Sequence, residues 1–417
     1  MSTANEAPPW EKIQWNARNP TLEIDNTAFQ EEKEWIFNTP SALNEIKDRI
    51  ALLNEDVWEY YKKLTNPYEL IFTTNGLVPT PASTCLMHPL SRSYFKMVEM
   101  IQVSNMIKRF PLQTVRTAHV CEGPGGFIQA AFDEADRNRK RIIHTYAMTL
   151  RPTENQVPGW KRAMNFLKKH PEIKILYGKT GTGNILEKEN RQSFNEECKS
   201  QIHIFTADGG VDFADNYKEQ EKTIYKLLIA SSLMALQCLA ENGVFVLKIF
   251  DCFTRATEDL IYGLGSCFGQ WSLYKPATSR PCNSEQYFIG VGFRRLNAAV
   301  VIRAFEQIME SSFLPTHIWK MEDNNLAAFR EKQLERASTQ IKSIENTLAL
   351  IEQNDIKKHT EIWNTHIFES QRFCTHFHLP VVHTIQKAEQ IEVAIRTSLL
   401  SISGTVAAAS AVAIATT

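Results

Sequence analysis

Seven short apolar runs alternate with helical stretches between residues 117 and 293, and this alternation constrains the fold more than any other feature of the chain. The runs cover residues 117–121, 142–148, 173–177, 202–207, 244–250, 271–274 and 287–293. Short strands separated by helices predict an α/β sandwich with a mostly parallel sheet. Residues 217–240 are apolar on most faces, so we predict a helix there that packs on the sheet.

The pattern divides the chain into three parts. The chain has 417 residues, a length greater than one typical domain needs, and 43% of them are hydrophobic. We predict a mostly helical N-terminal extension over residues 1–84, an α/β domain over 85–295 and a helical C-terminal region with an apolar tail over 296–417. The formal net charge is -1, so binding to nucleic acid would require a local basic patch.

The cysteines and the two termini bear on where the chain works. Eight cysteines are scattered without a C-x-x-C pair. This pattern argues against a zinc site and a disulfide framework, and it favours a reducing compartment, the cytoplasm or the nucleus. The polar N-terminus has no signal-peptide core. Residues 399–417 are rich in Ala, Ser and Thr, which predicts a frayed end and not a membrane-spanning helix.

Both flanks carry helical patterns. A helix is predicted from Ser41 through Tyr61, with Ser41 or Asn44 as its cap, and Pro79 and Pro81 end that region. In the C-terminal flank, apolar residues recur at spacings of three and four over about three heptads. These residues are Leu334, Ala337, Ile341, Ile344, Leu348 and Ile351. The spacing predicts a helix packed back on the α/β core, and a coiled coil with a partner subunit or a second copy is the alternative.

A glycine-rich turn, Cys121-Glu122-Gly123-Pro124-Gly125-Gly126-Phe127, follows the first predicted strand and opens a helix. Glycines let the backbone approach a ligand closely. The free N–H groups of a helix N-terminus bind polar or anionic groups. The turn is not the G-x-G-x-x-G pattern of dinucleotide enzymes. We interpret it as a ligand-binding loop, with a purely structural turn as the alternative.

Four polar residues stand out by their surroundings. Asp208 ends the fourth predicted strand before two glycines, at the edge where open α/β sheets bind ligands. Lys248 lies inside an apolar strand, where an amine is costly unless it is paired or deprotonated. Glu285 directly precedes the last strand, and Lys96 lies on an amphipathic helix predicted over residues 91–100. Taken singly, the two lysines also fit an edge-strand lysine and a solvated surface charge.

In this order, these features resemble the FtsJ-like RNA 2'-O-methyltransferases. The resemblance rests on the glycine-rich turn, on Ala207-Asp208-Gly209-Gly210, on the strand of Lys248 and on residues 275–285. Within that last segment, Thr278-Ser279-Arg280-Pro281 and Asn283-Ser284-Glu285 are most similar to the branch that methylates the first nucleotides of capped mRNA. The resemblance covers residues 85–295. It implies a Rossmann-like fold with a seven-stranded sheet, an antiparallel last strand and S-adenosyl-L-methionine as cofactor.

The resemblance also implies roles for individual residues. The catalytic tetrad would be Lys96, Asp208, Lys248 and Glu285. Lys248 would be the general base, which requires a lowered pKa; burial and Lys96 favour this, whereas the two carboxylates oppose it. The cofactor would be held by Glu122, Gly123, Pro124, Gly125, Gly126, Phe127, Met148, Gly183, Asn184 and Asp208. The family usually has an aspartate in place of Asn184. No metal is required, because the sulfonium already activates the methyl group.

RNA contacts are expected at the same edge of the sheet. The candidates are Arg92, Arg255, Lys275, Ser279, Arg280 and Asn283; ordinary surface charge is the alternative for the basic ones. A second group of aromatic and basic residues lies in the N-terminal extension: Trp58, Tyr60, Tyr61, Lys62, Lys63 and Tyr68. They fit stacking on bases or on the cap guanine, but ordinary helix packing is the preferred interpretation.

Three functions fit these observations. The preferred one is methylation of the ribose 2'-oxygen in cap-proximal nucleotides of mRNA. The same reaction on ribosomal or transfer RNA is the first alternative. A catalytically silent scaffold that binds RNA is the second, and the four intact polar positions argue against it. A viral origin would favour the cytoplasm over the nucleus.

Overall fold

The structure is a computed structural model that describes residue 10 and residues 13–20, 22–73, 82–152, 159–210 and 219–382. The predicted frayed tail over residues 399–417 lies outside the described residues, as do Pro79 and Pro81. None of the helices in these described ranges has the length and apolar character that crossing a bilayer would require.

One eight-stranded sheet organises the α/β part of the chain. Its strands are β1 (Asn16–Ala17), β2 (Thr114–Val120), β3 (Arg141–Met148), β4 (Ile173–Leu176), β5 (Ile202–Ala207), β6 (Leu239–Ile249), β7 (Phe268–Tyr274) and β8 (Gln286–Phe293). All seven predicted strands are confirmed. The sequence did not reveal β1, which has only two residues and pairs antiparallel with β7.

The strand order is β1-β7-β8-β6-β5-β2-β3-β4. Strands β2 to β6 run parallel to one another, whereas β8 is antiparallel to both β6 and β7. This confirms the predicted mostly parallel sheet and the antiparallel last strand. The chain builds outward from β2 to β4 and then returns to the other side of β2 as β5. The carboxyl ends of β2 and β5 therefore flank the switch point, where open α/β sheets bind ligands.

Eleven α-helices lie in the described part of the chain. They are α1 (Ser41–Ala51), α2 (Glu55–Leu64), α3 (Ser93–Ser104), α4 (Gly126–Arg137), α5 (Met164–Lys169), α6 (Lys188–Cys198), α7 (Gln220–Cys238), α8 (Arg255–Cys267), α9 (Arg295–Glu310), α10 (Ala327–Gln353) and α11 (Ile356–His376). Helix α7 buries most of its residues in the same core as the apolar faces of β5 and β6. This confirms the apolar helix predicted in that region.

The chain forms two compact units, each assembled from separate segments. The first unit contains residues 1–39, 89–276 and 285–333, and the second contains residues 40–88, 277–284 and 334–417. The first unit holds the sheet and its large hydrophobic core. The three-part division by sequence stays a prediction, since it concerns consecutive segments and the units interleave them.

The second unit has a small core of its own. Tyr60 and Tyr61 of α2 pack there with Trp363 of α11, and Ile351 of α10 lies against the same cluster. Tyr68 is also buried, so ordinary packing accounts for these tyrosines. The heptad-spaced residues do form one helix, α10, but from Leu334 onward they belong to the second unit. Partner binding through this helix stays a prediction.

Two helix predictions are wrong in detail. The single helix from Ser41 through Tyr61 is divided into α1 and α2, because the side chain of Asn54 accepts hydrogen bonds from the Asp56 and Val57 N–H groups and starts a new helix. Neither Ser41 nor Asn44 is the cap of α1, since Pro40 occupies that position. Helix α3 is not amphipathic: most of its residues are buried, on more than one face.

Candidate active site

The glycine-rich turn joins β2 to α4, as predicted. Gly125 has a φ of 106°, in the left-handed region that favours glycine. A Cβ at Gly126 would lie 2.3 Å from the hydroxyl oxygens of Ser91 and Ser93, so the turn packs tightly against the start of α3. Phe127, the second residue of α4, is buried. The sequence thus places the backbone of the turn at the switch point of the sheet.

A network of buried polar side chains holds the glycine-rich turn in place. Glu122 is buried and accepts a hydrogen bond from the hydroxyl of Thr206. His119 Nδ1 lies 2.7 Å from that hydroxyl and 3.3 Å from Glu122 Oε2. Burial raises the pKa of Glu122, and the interactions with His119 and Thr206 oppose that rise. These contacts link the turn to β2 and β5.

Of the other predicted cofactor residues, Gly183 and Asn184 lie in the loop after β4, and Asp208 directly follows β5. Met148 ends β3 and is fully buried in the core. Gly183 has a φ of 70°, and a Cβ there would lie 1.9 Å from the carbonyl oxygen of Thr149, so only glycine fits. The side-chain oxygen of Asn184 accepts a hydrogen bond of 3.0 Å from the Leu186 N–H. The side chain of Asn184 therefore shapes the loop after β4 by binding the backbone two residues further along.

The four polar residues predicted as a tetrad converge as two ion pairs. Lys96 Nζ, on α3, lies 2.6 Å from Glu285 Oε1 directly before β8. Lys248 Nζ, near the end of β6, lies 3.3 Å from Asp208 Oδ1, directly after β5. The Lys248 amine also donates a hydrogen bond of 2.8 Å to the backbone oxygen of Asp208. All four side chains are at most 15% exposed, so water screens these charges only weakly.

The two pairs also act on each other. Burial favours the neutral amine of Lys248, but the charges of Asp208 and Glu285 outweigh it and hold the pKa of this lysine above its usual value. Burial would raise the pKa of Glu285, yet Lys96 and Lys248 outweigh it and lower the pKa to about 2. The lowered pKa expected for a lysine base is therefore not what these protein groups alone produce.

Tyr287 is a further member of this cluster that the sequence did not reveal. Its hydroxyl donates a hydrogen bond of 2.9 Å to Asp208 Oδ1, and its ring lies 5.9 Å from the ring of Phe127. A tyrosine in an apolar strand looks like an ordinary core residue. The only signal was its position two residues after Glu285.

Three of the residues predicted as RNA contacts, Arg280, Arg255 and Lys275, have partners within the protein. Arg280 forms a two-pronged ion pair with Glu69 in the second unit, at 3.1 and 2.9 Å. Arg255 bonds to Asp259 and Asp323, both at 2.7 Å. Lys275 donates to the backbone oxygen of Glu285 at 3.0 Å. The remaining candidates are buried or half-buried: Arg92, Ser279 and Asn283. Each of these positions as an RNA contact stays a prediction.

Arg255 also lines a cavity of about 750 Å³ in the first unit. Its walls include Lys33, Lys320 and Arg330, and each of these cations lies beside a carboxylate: Glu31, Glu23 and Glu258 respectively. The cavity therefore does not present an unbalanced positive charge to an anion. Among the described residues, no group of three or more His, Cys, Asp and Glu side chains is arranged to hold a metal ion.

The fold is that of a Rossmann-like methyltransferase, as defined by the strand order, the glycine-rich turn and the converging tetrad. The family described as FtsJ-like methyltransferase matches residues 89–293. This part of the chain belongs to that family.

Curated relatives share this part of the chain at modest identity. The cap-specific mRNA (nucleoside-2'-O-)-methyltransferase 1 of Dictyostelium discoideum is 27% identical over 270 residues, which are 60% of this chain and 34% of the relative. The cap-specific mRNA (nucleoside-2'-O-)-methyltransferase 2 of Mus musculus is 24% identical over 334 residues, which are 75% of this chain and 42% of the relative. The cap-specific mRNA (nucleoside-2'-O-)-methyltransferase 1 of Leishmania braziliensis is 30% identical over 262 residues, which are 59% of this chain and 64% of the relative. The chain thus spans less than two thirds of each of these relatives.

Among solved structures, the chain matches that of a putative ribosomal RNA methyltransferase from Plasmodium falciparum. It is 17% identical, with a TM-score of 0.35, and the match covers 49% of this chain and 97% of that one.

Proposed function

We propose that this chain transfers a methyl group from S-adenosyl-L-methionine to the ribose 2'-oxygen of cap-proximal nucleotides in mRNA, with Lys248 as general base. The observation that carries the proposal is the convergence of Lys96, Asp208, Lys248 and Glu285 beside the glycine-rich turn. A cluster of two lysines and two carboxylates, almost closed to water, is costly to bury. Such a cluster at the ligand-binding edge of the sheet fits proton transfer better than it fits a structural role.

The residues present fit the cofactor. The turn over residues 121–127 and the tight loop at Gly183 bring backbone to the switch point, where a nucleoside-containing ligand binds in this class of sheet. The turn opens α4, whose N-terminal N–H groups suit the carboxylate of a methionine moiety. Asn184 would take the place of the usual aspartate near the adenine.

The chain's own residues would handle the proton. A ribose hydroxyl is a weak nucleophile at neutral pH, so a base has to accept its proton as it attacks. The amine of Lys248 is fixed by Asp208 in a nearly dry site. Lys96 and Glu285, held together at 2.6 Å, would orient the ribose. When bound, S-adenosyl-L-methionine supplies a methyl group on a sulfonium, whose positive charge disfavours the protonated form of Lys248.

The proposed substrate and compartment rest on the relatives and on the cysteines. The relatives are named for the mRNA cap, and the segment 278–285 resembles the same branch. All eight cysteines are free thiols, as suits the reducing cytoplasm or nucleus where mRNA is found.

The test compares methyl transfer to a short capped RNA and to its uncapped counterpart, followed by digestion and identification of the modified nucleoside. Wild-type protein should produce a 2'-O-methylated nucleoside next to the cap. Lys248→Ala should lower the rate by about 10²-fold to 10⁴-fold while calorimetry shows cofactor binding retained. Lys174→Ala, which removes an exposed lysine paired with Glu197, is the matched control and should keep full activity.

Two outcomes would contradict the proposal. Equal methylation of capped and uncapped RNA would exclude the cap as the recognised feature. A folded Lys248→Ala protein with wild-type turnover would exclude Lys248 as the base.

A further inference from the structure

Tyr287 lies directly across from Lys248 in the sheet. The two residues are partners in the antiparallel pairing of β6 with β8. Directly opposite residues of such a pair project their side chains from the same face. Tyr287 is fully buried, so its hydroxyl requires a partner inside the protein.

That partner is the carboxylate that also serves Lys248. The Tyr287 hydroxyl donates to Asp208 Oδ1 at 2.9 Å, and the Lys248 amine lies 3.3 Å from the same oxygen. The hydroxyl and the amine therefore share one carboxylate oxygen. The shorter contact belongs to the neutral hydroxyl and the longer one to the charged amine.

We propose that Tyr287 is a positioning residue that fixes the Asp208 carboxylate and takes up part of its charge, so that Lys248 can release its proton. The inference rests on the proposed role of Lys248 as general base. It assigns to Tyr287 no contact with RNA or with the cofactor.

The physical reason is the balance of charge around the amine. A hydrogen bond donated to a carboxylate stabilises its negative charge and weakens its attraction for a neighbouring cation. Without the hydroxyl, the full charge of Asp208 would act on Lys248 and favour the protonated amine. Burial and the adjacent carboxylates hold the pKa of Tyr287 well above its usual value, so it remains a donor over the working range of pH.

The other groups that face Lys248 are Glu285 and the Cys121 thiol, and Lys96 and Lys275 act on it through Glu285. Replacing Tyr287 by phenylalanine alters none of these groups. A shift in the titration of Lys248 would therefore report on the hydroxyl alone.

The experiment measures kcat for methyl transfer to capped RNA from about pH 6 to about pH 10, with wild-type protein and with Tyr287→Phe. The acidic limb should move to higher pH by roughly one unit, which is about a tenfold loss below the midpoint and recovery above it. The KM for RNA should stay within about twofold, because Tyr287 contributes no uniform binding. Tyr94→Phe removes a similar hydroxyl, which donates to Asp133 at 2.8 Å, and should leave the limb in place.

A second substitution retains the hydroxyl and should shift the acidic limb in the opposite direction. Fluorinated tyrosine at position 287 is a stronger hydrogen-bond donor, so the limb should move to lower pH. An unchanged midpoint in both proteins would overturn the inference, as would a rate loss that is equal at every pH. Competitive acetylation of Lys248, read by mass spectrometry, gives the same titration without catalysis. An inactive wild-type protein would refute the proposed function, while a shift in acetylation would still support the role of Tyr287.

Discussion

The amine of Lys248 borders the backbone of Gly210, and this glycine keeps space beside it. A Cβ at Gly210 would lie 3.3 Å from Nζ and 3.5 Å from Cε of the lysine. A hydroxyl that hands a proton to the amine has to come within about 2.6–3.2 Å of it. A methyl group at Gly210 would occupy part of that approach.

Gly210→Ala should therefore impair methyl transfer more than folding. Gly210 is not among the residues with a positive φ, so alanine fits its backbone. We expect a loss of turnover of roughly tenfold to a hundredfold, because small displacements of reacting groups have effects of that order. Steady-state kinetics with capped RNA would measure the loss, and thermal unfolding should be nearly unchanged. Gly269→Ala, where a Cβ meets only ordinary contacts at 3.6 Å, is the control. Full activity of Gly210→Ala would show that the hydroxyl approaches from elsewhere.

Single residues could be predicted where the neighbouring sequence made them unusual. Lys248 in an apolar strand and Asp208 before two glycines were such cases. Arg280 was predicted as an RNA contact, yet its carboxylate partner, Glu69, lies 211 positions away. No local pattern indicates a partner so far away along the sequence. The hydrogen bond from the Tyr287 hydroxyl to Asp208 could not be predicted for the same reason.

At the scale of elements, the strands could be predicted and one helix boundary could not. Short runs of β-branched and aromatic residues between helical stretches indicate strands in almost any context. The boundary between α1 and α2 depends on which side chain turns back on the backbone. Leu52 and Leu53 continue the apolar pattern past the end of α1, and this obscured the cap at Asn54.

Asn54→Ala should destabilise the second unit through α2. The side chain of Asn54 satisfies the Asp56 and Val57 N–H groups at 3.0 and 3.3 Å, and loss of such a cap typically costs about 1 kcal/mol. Ser41→Ala is the control: the start of α1 has no side-chain cap, so we expect nearly no change. Urea unfolding monitored by circular dichroism would compare the two. Equal destabilisation by both substitutions would contradict the assigned cap.

At the scale of the whole molecule, the compact units are assembled in a way that a sequence pattern does not show. Residues 277–284 leave the first unit after Pro276 and belong to the second, and the chain returns to the first at Glu285. The second unit thus draws residues from three distant stretches of sequence. Linear changes in composition cannot reveal an assembly of this kind, because each stretch buries its apolar residues against partners that lie far along the chain.

The stability of the folded chain should depend on acid through Glu285. Its pKa is lowered to about 2 in the folded state by Lys96 and Lys248, after opposition from burial, whereas an unfolded glutamate titrates near about 4.3. A lowered pKa stabilises the folded state above the unfolded value, and this contribution disappears as the pH falls from about 5 to about 2. At about 1.4 kcal/mol for each pH unit, the contribution is at most about 3 kcal/mol at neutral pH.

Glu285→Gln should therefore be less stable than wild type at pH 7, and the gap should close as the pH is lowered. Urea unfolding followed by tryptophan fluorescence over about pH 3 to 7 would measure it. Glu310→Gln is the control, because Glu310 pairs with Lys188 at 2.6 Å on an exposed surface, where water and salt screen the interaction. Its gap should be small and should vanish in high salt, whereas that of Glu285→Gln should persist. If the difference in stability between wild type and Glu285→Gln grew toward acid pH, the pKa of Glu285 would be raised in the folded state. Burial, and not the attraction of the two lysines, would then dominate that pKa.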